Sequence, residues 1–276
     1  ERRRLSILLT EQMGRGFREK ILQYAADLED SIFAPQDLVL EDGTVCMTKE
    51  ELSDLFYKDM RGIPLLSRPE AVTKYICEKK KYTSYEMREY IGDLLRGMMK
   101  SLYISELYRM MYPPGQEPEQ FLWDDACAMA LLKILLRGME GEYAIFYLIA
   151  DEAQDFTPVF LEILNRRYRG CNMLFVGDRD QLVFGNSGTY LEDIRDIIHK
   201  KPFREYTLNT NYRSTAEIMR FALGIMGRKE DDSALCVRSG PVPQVVRTTA
   251  ENLGKAVEVF VEEMYEKGYE NIAVLC

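Results

Sequence analysis

The sequence predicts an α/β fold, in which a mainly helical segment precedes a parallel sheet with helices packed on it. Residues 1–138 carry apolar residues largely at helical spacing, whereas short apolar runs alternate with helical patterns after Gly141. Such alternation is typical of parallel strands joined by helical crossovers. Hydrophobic residues make up 46% of the 276 positions and charged residues 29%, which is the composition of an ordinary globular protein.

The first part of the chain is expected to be helical, with one hairpin. Helices are predicted from apolar periodicity over residues 1–30, 68–80, 83–111 and 118–138. Asp42-Gly43 between two apolar runs predicts a β-hairpin, and Thr48-Lys49-Glu50-Glu51 resembles a capping box that opens a helix. Pro113-Pro114-Gly115 interrupts the helical pattern and is therefore the first candidate domain boundary.

The remainder of the chain is expected to alternate strands with helices. Strands are predicted at the apolar positions 143–150, 172–176, 206–208, 245–246 and 272–275. Helices are predicted over residues 157–167, 189–200, 215–227 and 250–267. The charged segment 228–233 is expected to be a loop.

Cysteine, histidine and hydropathy patterns exclude several classes of protein. The six cysteines form no CxxC pair, and the one histidine, His199, ends a predicted helix, so a zinc site is not expected. The cysteines are predicted to be buried free thiols in a reducing cytosol. No apolar run reaches the length of a membrane span, and no signal peptide is expected. These patterns predict a cytoplasmic protein without a membrane partner.

The net charge of -9 argues against a protein that coats nucleic acid by bulk electrostatics, although it leaves room for a local binding groove. Residues 1–110 contain 18 basic and 19 acidic residues, so the acidic excess lies in the later part. Arg2-Arg3-Arg4 and Lys79-Lys80-Lys81, the latter near the tyrosines at 82, 85 and 90, either contact phosphates or form a solvated helix face. The second interpretation is favoured, because charge runs are commonly surface.

Two adjacent acids, Asp151 and Glu152, follow the apolar run 143–150. Open α/β sheets bind ligands at the carboxyl ends of their strands. In a nucleotide hydrolase, the first carboxylate of such a pair holds Mg²⁺ and the second orients and activates the attacking water. The alternative interpretation is an acidic helix N-terminus, which the helix dipole alone would favour.

Two more polar segments follow predicted strands. In Val176-Gly177-Asp178-Arg179-Asp180-Gln181, a glycine turn can place Gln181 beside a phosphate, and the alternative is a plain loop. In Asn209-Thr210-Asn211-Tyr212-Arg213-Ser214-Thr215, Arg213 can stabilise charge on a γ-phosphate and Tyr212 can stack on a base. The alternative there is a helix start capped by Ser214 or Thr215.

Taken together and in this order, the three segments resemble motifs II, III and IV of UvrD/Rep-type superfamily 1 DNA helicases. The resemblance covers roughly residues 118–276 and implies an incomplete RecA-like core of the P-loop NTPase type. It also implies that ATP and Mg²⁺ bind in the cleft between two RecA-like domains. The order of parts looks closest to the HelD-like or helicase IV-like branch, which carries a mainly helical insertion before motif II.

The resemblance assigns roles to five residues of motifs II and III. Asp151 is expected to hold Mg²⁺ through water, and Glu152 is expected to be the general base. Gln154 and Gln181 are expected to sense the γ-phosphate and to couple hydrolysis to domain motion. Asp178 is expected to support the turn of motif III.

In motif IV, the resemblance implies that Tyr212 stacks on the adenine and that Arg213 contacts the γ-phosphate. It also implies three domains: a mainly helical insertion over residues 1–115, part of the first RecA-like domain over 116–204, and the start of the second over 205–276. The implied partner is single-stranded or partially duplex DNA, along which ATP hydrolysis drives movement of the helicase.

The sequence departs from the family in two places. It contains no Gly-x-x-x-x-Gly-Lys-Ser/Thr phosphate-binding loop, so we expect an internal segment of a longer helicase that is inactive by itself. Motif III continues as Phe184-Gly185-Asn186-Ser187-Gly188, in which Asn186 and Ser187 replace the ring and arginine that stack DNA in the family.

Two alternative functions remain open, the first of which suits the helical first domain and the second departure. One is an ATP-driven remodelling factor that binds RNA polymerase instead of unwinding DNA, as HelD-like proteins do. The other is a scaffold that keeps the fold without hydrolysing ATP, against which the intact Asp151, Glu152, Gln181 and Arg213 argue.

Overall fold

In the computed structural model, the described residues are 14–139, 145–178, 181, 190–199, 202–227 and 235–275. The chain divides into two compact units, Glu1–Phe203 and Arg204–Cys276. Within these described ranges, each unit contains a pair of parallel strands accompanied by helices, which confirms the predicted α/β class. Among the described residues, no helix combines the length and the apolar character needed to cross a membrane.

We keep motifs II, III and IV as labels for the segments 148–155, 176–181 and 209–215 that resemble them. The region before motif II is built from helices and one hairpin. Its elements are α1 (Arg15–Glu29), β1 (Leu38–Val39), β2 (Val45–Met47), α2 (Lys49–Asp54), α3 (Arg68–Lys80), α4 (Tyr85–Gly97), α5 (Ile104–Arg109) and α6 (Trp123–Arg137). A π-helical turn, Leu55–Asp59, continues α2, and a 3-10 turn, Leu65–Ser67, leads into α3. The predicted helices at 68–80 and 118–138 are thus confirmed, and α1 lies within the predicted helix 1–30.

The hairpin and the capping box have the predicted geometry. β1 and β2 pair antiparallel, and Gly43 between them has a φ of 81°, which glycine adopts without a steric penalty. The Asp42 carboxylate accepts a hydrogen bond from the Thr44 amide at 2.9 Å. At the start of α2, the Thr48 hydroxyl accepts from the Glu51 amide at 3.3 Å, and the Glu51 carboxylate accepts from the Thr48 amide at 3.0 Å.

The prediction of one helix over residues 83–111 is wrong, because the chain forms α4 and α5 with an extended segment between them. The Ala34 amide donates to the Met98 carbonyl at 2.9 Å, and the Lys100 amide donates to the Ile32 carbonyl at 2.8 Å. The Ser101 hydroxyl then accepts from the Tyr103 amide at 3.0 Å as α5 begins. Apolar spacing alone could not reveal this pairing, since it depends on a segment more than 60 residues earlier.

One apolar core joins all the helices of this region. Ile21 of α1, Ile76 of α3, Leu107 of α5 and Leu131 of α6 are fully buried in it. The core therefore continues across Pro113-Pro114-Gly115, with α5 on one side of that segment and α6 on the other.

The parallel strands of the first unit have helices on one face. β3 (Tyr147–Ala150) pairs with β4 (Asn172–Phe175), and α7 (Pro158–Arg167) and α8 (Tyr190–Ile197) follow them. Met173 and Phe175 of β4 pack against a second apolar cluster that includes Leu161 of α7 and Ile194 of α8. These four elements confirm the predicted strands and helices between residues 143 and 200.

Helix α1 is tied to α7 and α8 by ion pairs. The Arg18 guanidinium donates to Glu162 at 2.7 and 3.0 Å, and Arg166 donates to the same carboxylate at 2.5 Å. Glu162 is buried, and its two guanidinium partners supply the charge that a buried carboxylate needs. Arg15 pairs with the buried Asp193 of α8. The helical region is therefore attached to the two helices that follow motifs II and III.

The second unit contains β5 (Thr210–Asn211), α9 (Ala216–Ile225), β6 (Leu235–Cys236), a 3-10 turn (Ala250–Asn252) and α10 (Leu253–Glu266). β5 and β6 pair in parallel. The helices predicted over 215–227 and 250–267 are confirmed. The strands predicted at 206–208, 245–246 and 272–275 are wrong, because in the described structure those residues have no strand pairing and Leu208 is 90% exposed.

Candidate functional site

Motifs II and III meet at one edge of the sheet. Because β3 and β4 are parallel and in register from Tyr147 opposite Asn172 to Ala150 opposite Phe175, their carboxyl ends lie side by side. The pairing continues beyond the strands, since the Val176 amide donates to the Ala150 carbonyl at 2.8 Å and the Ala153 amide donates to the Val176 carbonyl at 2.9 Å. Asp151 and Gly177 thus emerge next to each other, where α/β sheets bind ligands.

Glu152 occupies an unusual backbone conformation. Its φ of 51° and ψ of 37° lie in the left-handed region, which residues with a side chain seldom adopt. The turn is held by the Asp151 carboxylate, which accepts from the Glu152 amide at 2.9 Å, and by the Asp155 amide, which donates to the Glu152 carbonyl at 3.0 Å. Both acids of the pair are exposed, so substrate and solvent can reach their carboxylates.

Gln154 connects motif II to motif III through both ends of its side-chain amide. Its Nε2 donates to Glu152 Oε2 at 2.7 Å, and its Oε1 accepts from the Asp178 amide at 3.1 Å. The side chain is only 4% exposed, which strengthens the penalty for leaving either end without a partner. Gln154 thereby orients the Glu152 carboxylate and fixes the start of motif III.

Gly177 allows this close approach. A Cβ at this position would lie 2.6 Å from Gln154 Oε1, 3.1 Å from the Gln154 amide nitrogen and 3.3 Å from the Ala153 amide nitrogen. These distances are shorter than van der Waals contact, so a larger residue would push the two motifs apart. The sequence showed a glycine turn here but not its cause, which is the proximity of a side chain more than 20 residues earlier.

Gln181 extends the contacts along motif III. Its Nε2 donates to Asp178 Oδ2 at 2.8 Å, and its amide donates to the Asp178 carbonyl at 3.2 Å. Glu152, Gln154, Asp178 and Gln181 therefore form one continuous hydrogen-bonded chain, which we call the motif II–III relay. The segment Phe184-Gly185-Asn186-Ser187-Gly188, which departs from the DNA-stacking phrase of the family, lies outside the described residues, as do Arg2-Arg3-Arg4 and the segment 228–233.

In the second unit, Asn211 shapes the motif IV turn. Its Oδ1 accepts from the Arg213 amide and from the Ser214 amide, both at 2.9 Å. This turn, typical of asparagine, follows β5 directly and leads into α9, whose N-cap is Thr215. Tyr212 is 70% exposed and Arg213 is also exposed, so both side chains are accessible to a ligand. The predicted N-cap is confirmed, and it coexists with an accessible arginine.

A second loop supports motif IV, and the sequence interpretation did not include it. The Glu217 carboxylate accepts from the Gly240 amide at 2.8 Å, and this hydrogen bond lowers the pKa of Glu217 below its usual value. The Ala216 amide donates to the Arg238 carbonyl at 3.0 Å. A Cβ on Gly240 would lie 2.7 Å from Thr215 Cγ2, so a glycine is needed there. A glutamate in a helix's first turn gave no signal for this distant partner.

The exposed Asp151 carboxylate is a donor of the type that Mg²⁺ prefers. In the described part of the chain, no group of three or more histidine, cysteine or acidic side chains could hold a metal ion. Mg²⁺ at nucleotide sites, however, needs only one or two carboxylates, with water and substrate phosphates as its other ligands. The described cysteines are free thiols, as expected, and four of the five are buried. His199 is exposed just beyond α8, which agrees with its predicted place at the end of a helix.

The chain was compared with protein-family models and with curated proteins. No family model matches it, and no curated protein matches it either.

Proposed function

We propose that this chain is part of an ATP-dependent DNA helicase or translocase of the UvrD/Rep type, close to the HelD-like or helicase IV-like branch. Its strands belong to RecA-like domains, and residues 1–115 form a mainly helical insertion. ATP hydrolysis at motifs II to IV drives movement on single-stranded DNA. The phosphate-binding loop, absent from these 276 residues, is expected in the longer natural protein.

The motif II–III relay is the observation that carries this proposal. Two polar segments 25 residues apart could be unrelated loops, and a hydrogen-bonded chain from Glu152 to Gln181 makes them one structure. A merely acidic helix start would explain neither the left-handed Glu152 nor the buried Gln154. Backbone strain of this kind clusters at functional sites, where the surrounding hydrogen bonds hold it in place.

The residues divide the chemistry as follows. The accessible Asp151 carboxylate would hold Mg²⁺, which would supply the positive charge that neutralises the transferred phosphoryl group. Glu152, oriented by Gln154, accepts the proton of the attacking water. Both the nitrogen and the oxygen of the Gln154 side-chain amide are hydrogen-bonded within the protein. Gln154 therefore acts on the phosphate through the relay.

Gln181 lies at the exposed end of the relay, from where it senses the γ-phosphate directly. A change at that phosphate reaches Glu152 through Asp178 and Gln154. In the second unit, the side chains of Tyr212 and Arg213 are exposed. The resemblance to motif IV supports roles for Arg213 in contacting the γ-phosphate and for Tyr212 in stacking on the adenine.

The test is ATP hydrolysis by the natural protein that contains this chain, compared with its Glu152→Gln variant. Removing a general base lowers kcat by about 10²- to 10⁴-fold. Glu192→Gln is the matched control, because Glu192 is an exposed acid in the first turn of α8 and belongs to neither motif. Equal rates for Glu152→Gln and the control would refute the assignment of the site.

Adding single-stranded DNA to the same assay separates the proposed function from its alternative. A helicase or translocase hydrolyses ATP faster when DNA is present, whereas DNA-independent hydrolysis that RNA polymerase stimulates would favour the remodelling factor. Loss of hydrolysis in Glu152→Gln is expected in either case, so the site and the partner are tested separately.

A further inference from the structure

The hairpin formed by α3 and α4 carries a concentration of positive charge. Residues 74–88 contain five basic and two acidic residues, in a chain whose net charge is -9. Lys79, Lys80 and Lys81 are exposed at the tip. Lysines in the last turn of a helix complement its dipole, which accounts for the first two. Lys81 lies just past the helix with a φ of 57°, a conformation in which glycine is usual. A lysine there is less favourable for the backbone than glycine would be, although it adds a positive charge.

The tyrosines of the hairpin fall into two sets. Tyr82 and Tyr90 are half-buried and pack against the apolar core. Tyr85 is 76% exposed and Tyr75 is 37% exposed, so both rings are available to a ligand. The Lys79 ammonium lies 5.4 Å from the centroid of the Tyr75 ring. Exposed rings thus stand next to exposed cations, as they do on surfaces that bind single-stranded nucleic acid.

An open cleft extends this surface along the hairpin. It has a volume of about 210 Å³ and is lined by Ser67, Glu70, Ala71, Lys74 and Arg88. Lys74 precedes Tyr75 directly, and Arg88 follows Tyr85 by three positions, hence on the same face of α4. Cations and exposed rings therefore occur together on both helices of the hairpin.

We propose that the α3–α4 hairpin binds single-stranded nucleic acid, with phosphates along the basic side chains and unpaired bases stacked on Tyr85 and Tyr75. An acidic protein could form ion pairs with the basic side chains, but its carboxylates would not stack on the exposed tyrosine rings. The inference rests on the proposed function only in taking nucleic acid as the polyanion. Since binding here needs no nucleotide, it can be measured apart from ATP hydrolysis.

The experiment measures the anisotropy of fluorescently labelled (dT)20 on addition of the full chain without ATP. Reversing charge at Lys79, Lys80 and Lys81 together is expected to weaken binding more than about tenfold and to reduce the dependence of log Kd on log salt by about 2. The matched control reverses three exposed lysines of the same region: Lys49, Lys58 and Lys100.

Tyr85→Ala tests the stacking. It is expected to weaken binding by about fivefold to a hundredfold, whereas Tyr103→Ala, at a comparably exposed ring outside the hairpin, changes little. Thermal unfolding of each variant shows that the fold is kept. Equal affinity of the two triple-lysine variants overturns the proposal. The proposal is also overturned if poly-glutamate displaces (dT)20 and Tyr85→Ala binds (dT)20 as tightly as the unchanged chain does. That result would identify an acidic protein as the partner.

Discussion

Replacing Gly177 with alanine tests the contact between motifs II and III most directly. The new Cβ would lie 2.6 Å from Gln154 Oε1 and 3.1 Å from the Gln154 amide nitrogen. The side-chain oxygen can rotate away, but only by giving up its hydrogen bond from the Asp178 amide. The amide nitrogen is backbone and cannot move alone, so the turn after β4 must shift.

The expected cost combines two effects. Overpacking of one methyl group costs about 1–3 kcal/mol, and the lost hydrogen bond of a buried amide adds about 1 kcal/mol. We therefore expect Gly177→Ala to lower the free energy of unfolding of the first unit by about 2–4 kcal/mol. ATP hydrolysis by the natural protein should fall as well, because Gln154 no longer orients Glu152.

Urea unfolding of the full chain measures the stability loss. Gly170→Ala is the matched control: its Cβ meets nothing within 4 Å, and we expect a change within about 0.5 kcal/mol. Adding Gln154→Ala to Gly177→Ala removes the closest contact and should lower stability by less than the two separate losses combined. If Gly177→Ala is as stable as Gly170→Ala, the motifs are not packed as described, and the reasoning fails.

Three other predictions concern the helical region. Arg18→Met should lower the free energy of unfolding, measured in urea, by about 1–3 kcal/mol, because it removes a partner of the buried Glu162. The control is Lys58→Met, which removes an exposed ion pair with Asp54 and should change that free energy by less than about 0.5 kcal/mol. Burial raises the pKa of Glu162, but hydrogen bonds from its guanidinium partners outweigh it and lower that pKa below 4.5. The resulting stability is therefore present above pH 4.5 and is lost as pH falls through the lowered pKa; unfolding midpoints should show a steeper acid loss in the wild type than in Arg18→Met. Thr48→Ala should cost about 1 kcal/mol in the same assay, and Ser84→Ala, at a cap without a side-chain hydrogen bond, much less.

Local signals in the sequence predicted local structure. The Asp42-Gly43 turn, the Thr48 cap and the helix 68–80 depend on residues within a few positions of one another, and all three are confirmed. The long helix at 83–111 was wrong, because the segment after Gly97 pairs with distant backbone. The apolar residues at 206–208 were not a strand, since a strand also needs a neighbour in register, and no periodicity encodes that neighbour.

The candidate site shows the same division. Sequence order placed Asp151, Glu152 and Gln181 after strands, and the two acids do follow β3. It could not show that the side-chain amide of Gln154 bridges Glu152 and Asp178 by hydrogen bonds, because that geometry follows from the parallel register of β3 and β4. Nor could it show why Gly177 must be small.

Helix α1 gives the helical region a direct mechanical relation to the site. Arg18 holds Glu162 of α7, which follows motif II, and Arg15 holds Asp193 of α8, which follows motif III. Both acids are buried, so separating Arg15 from Asp193 would break a buried ion pair, and separating Arg18 from Glu162 would leave that carboxylate with Arg166 as its ion-pair partner. A displacement of α8 relative to α7 must therefore rotate α1 or break one of the pairs. Because α1 shares its core with α3 and α6, we expect a motion between the two motifs to be transmitted through α1 to the helices packed against it.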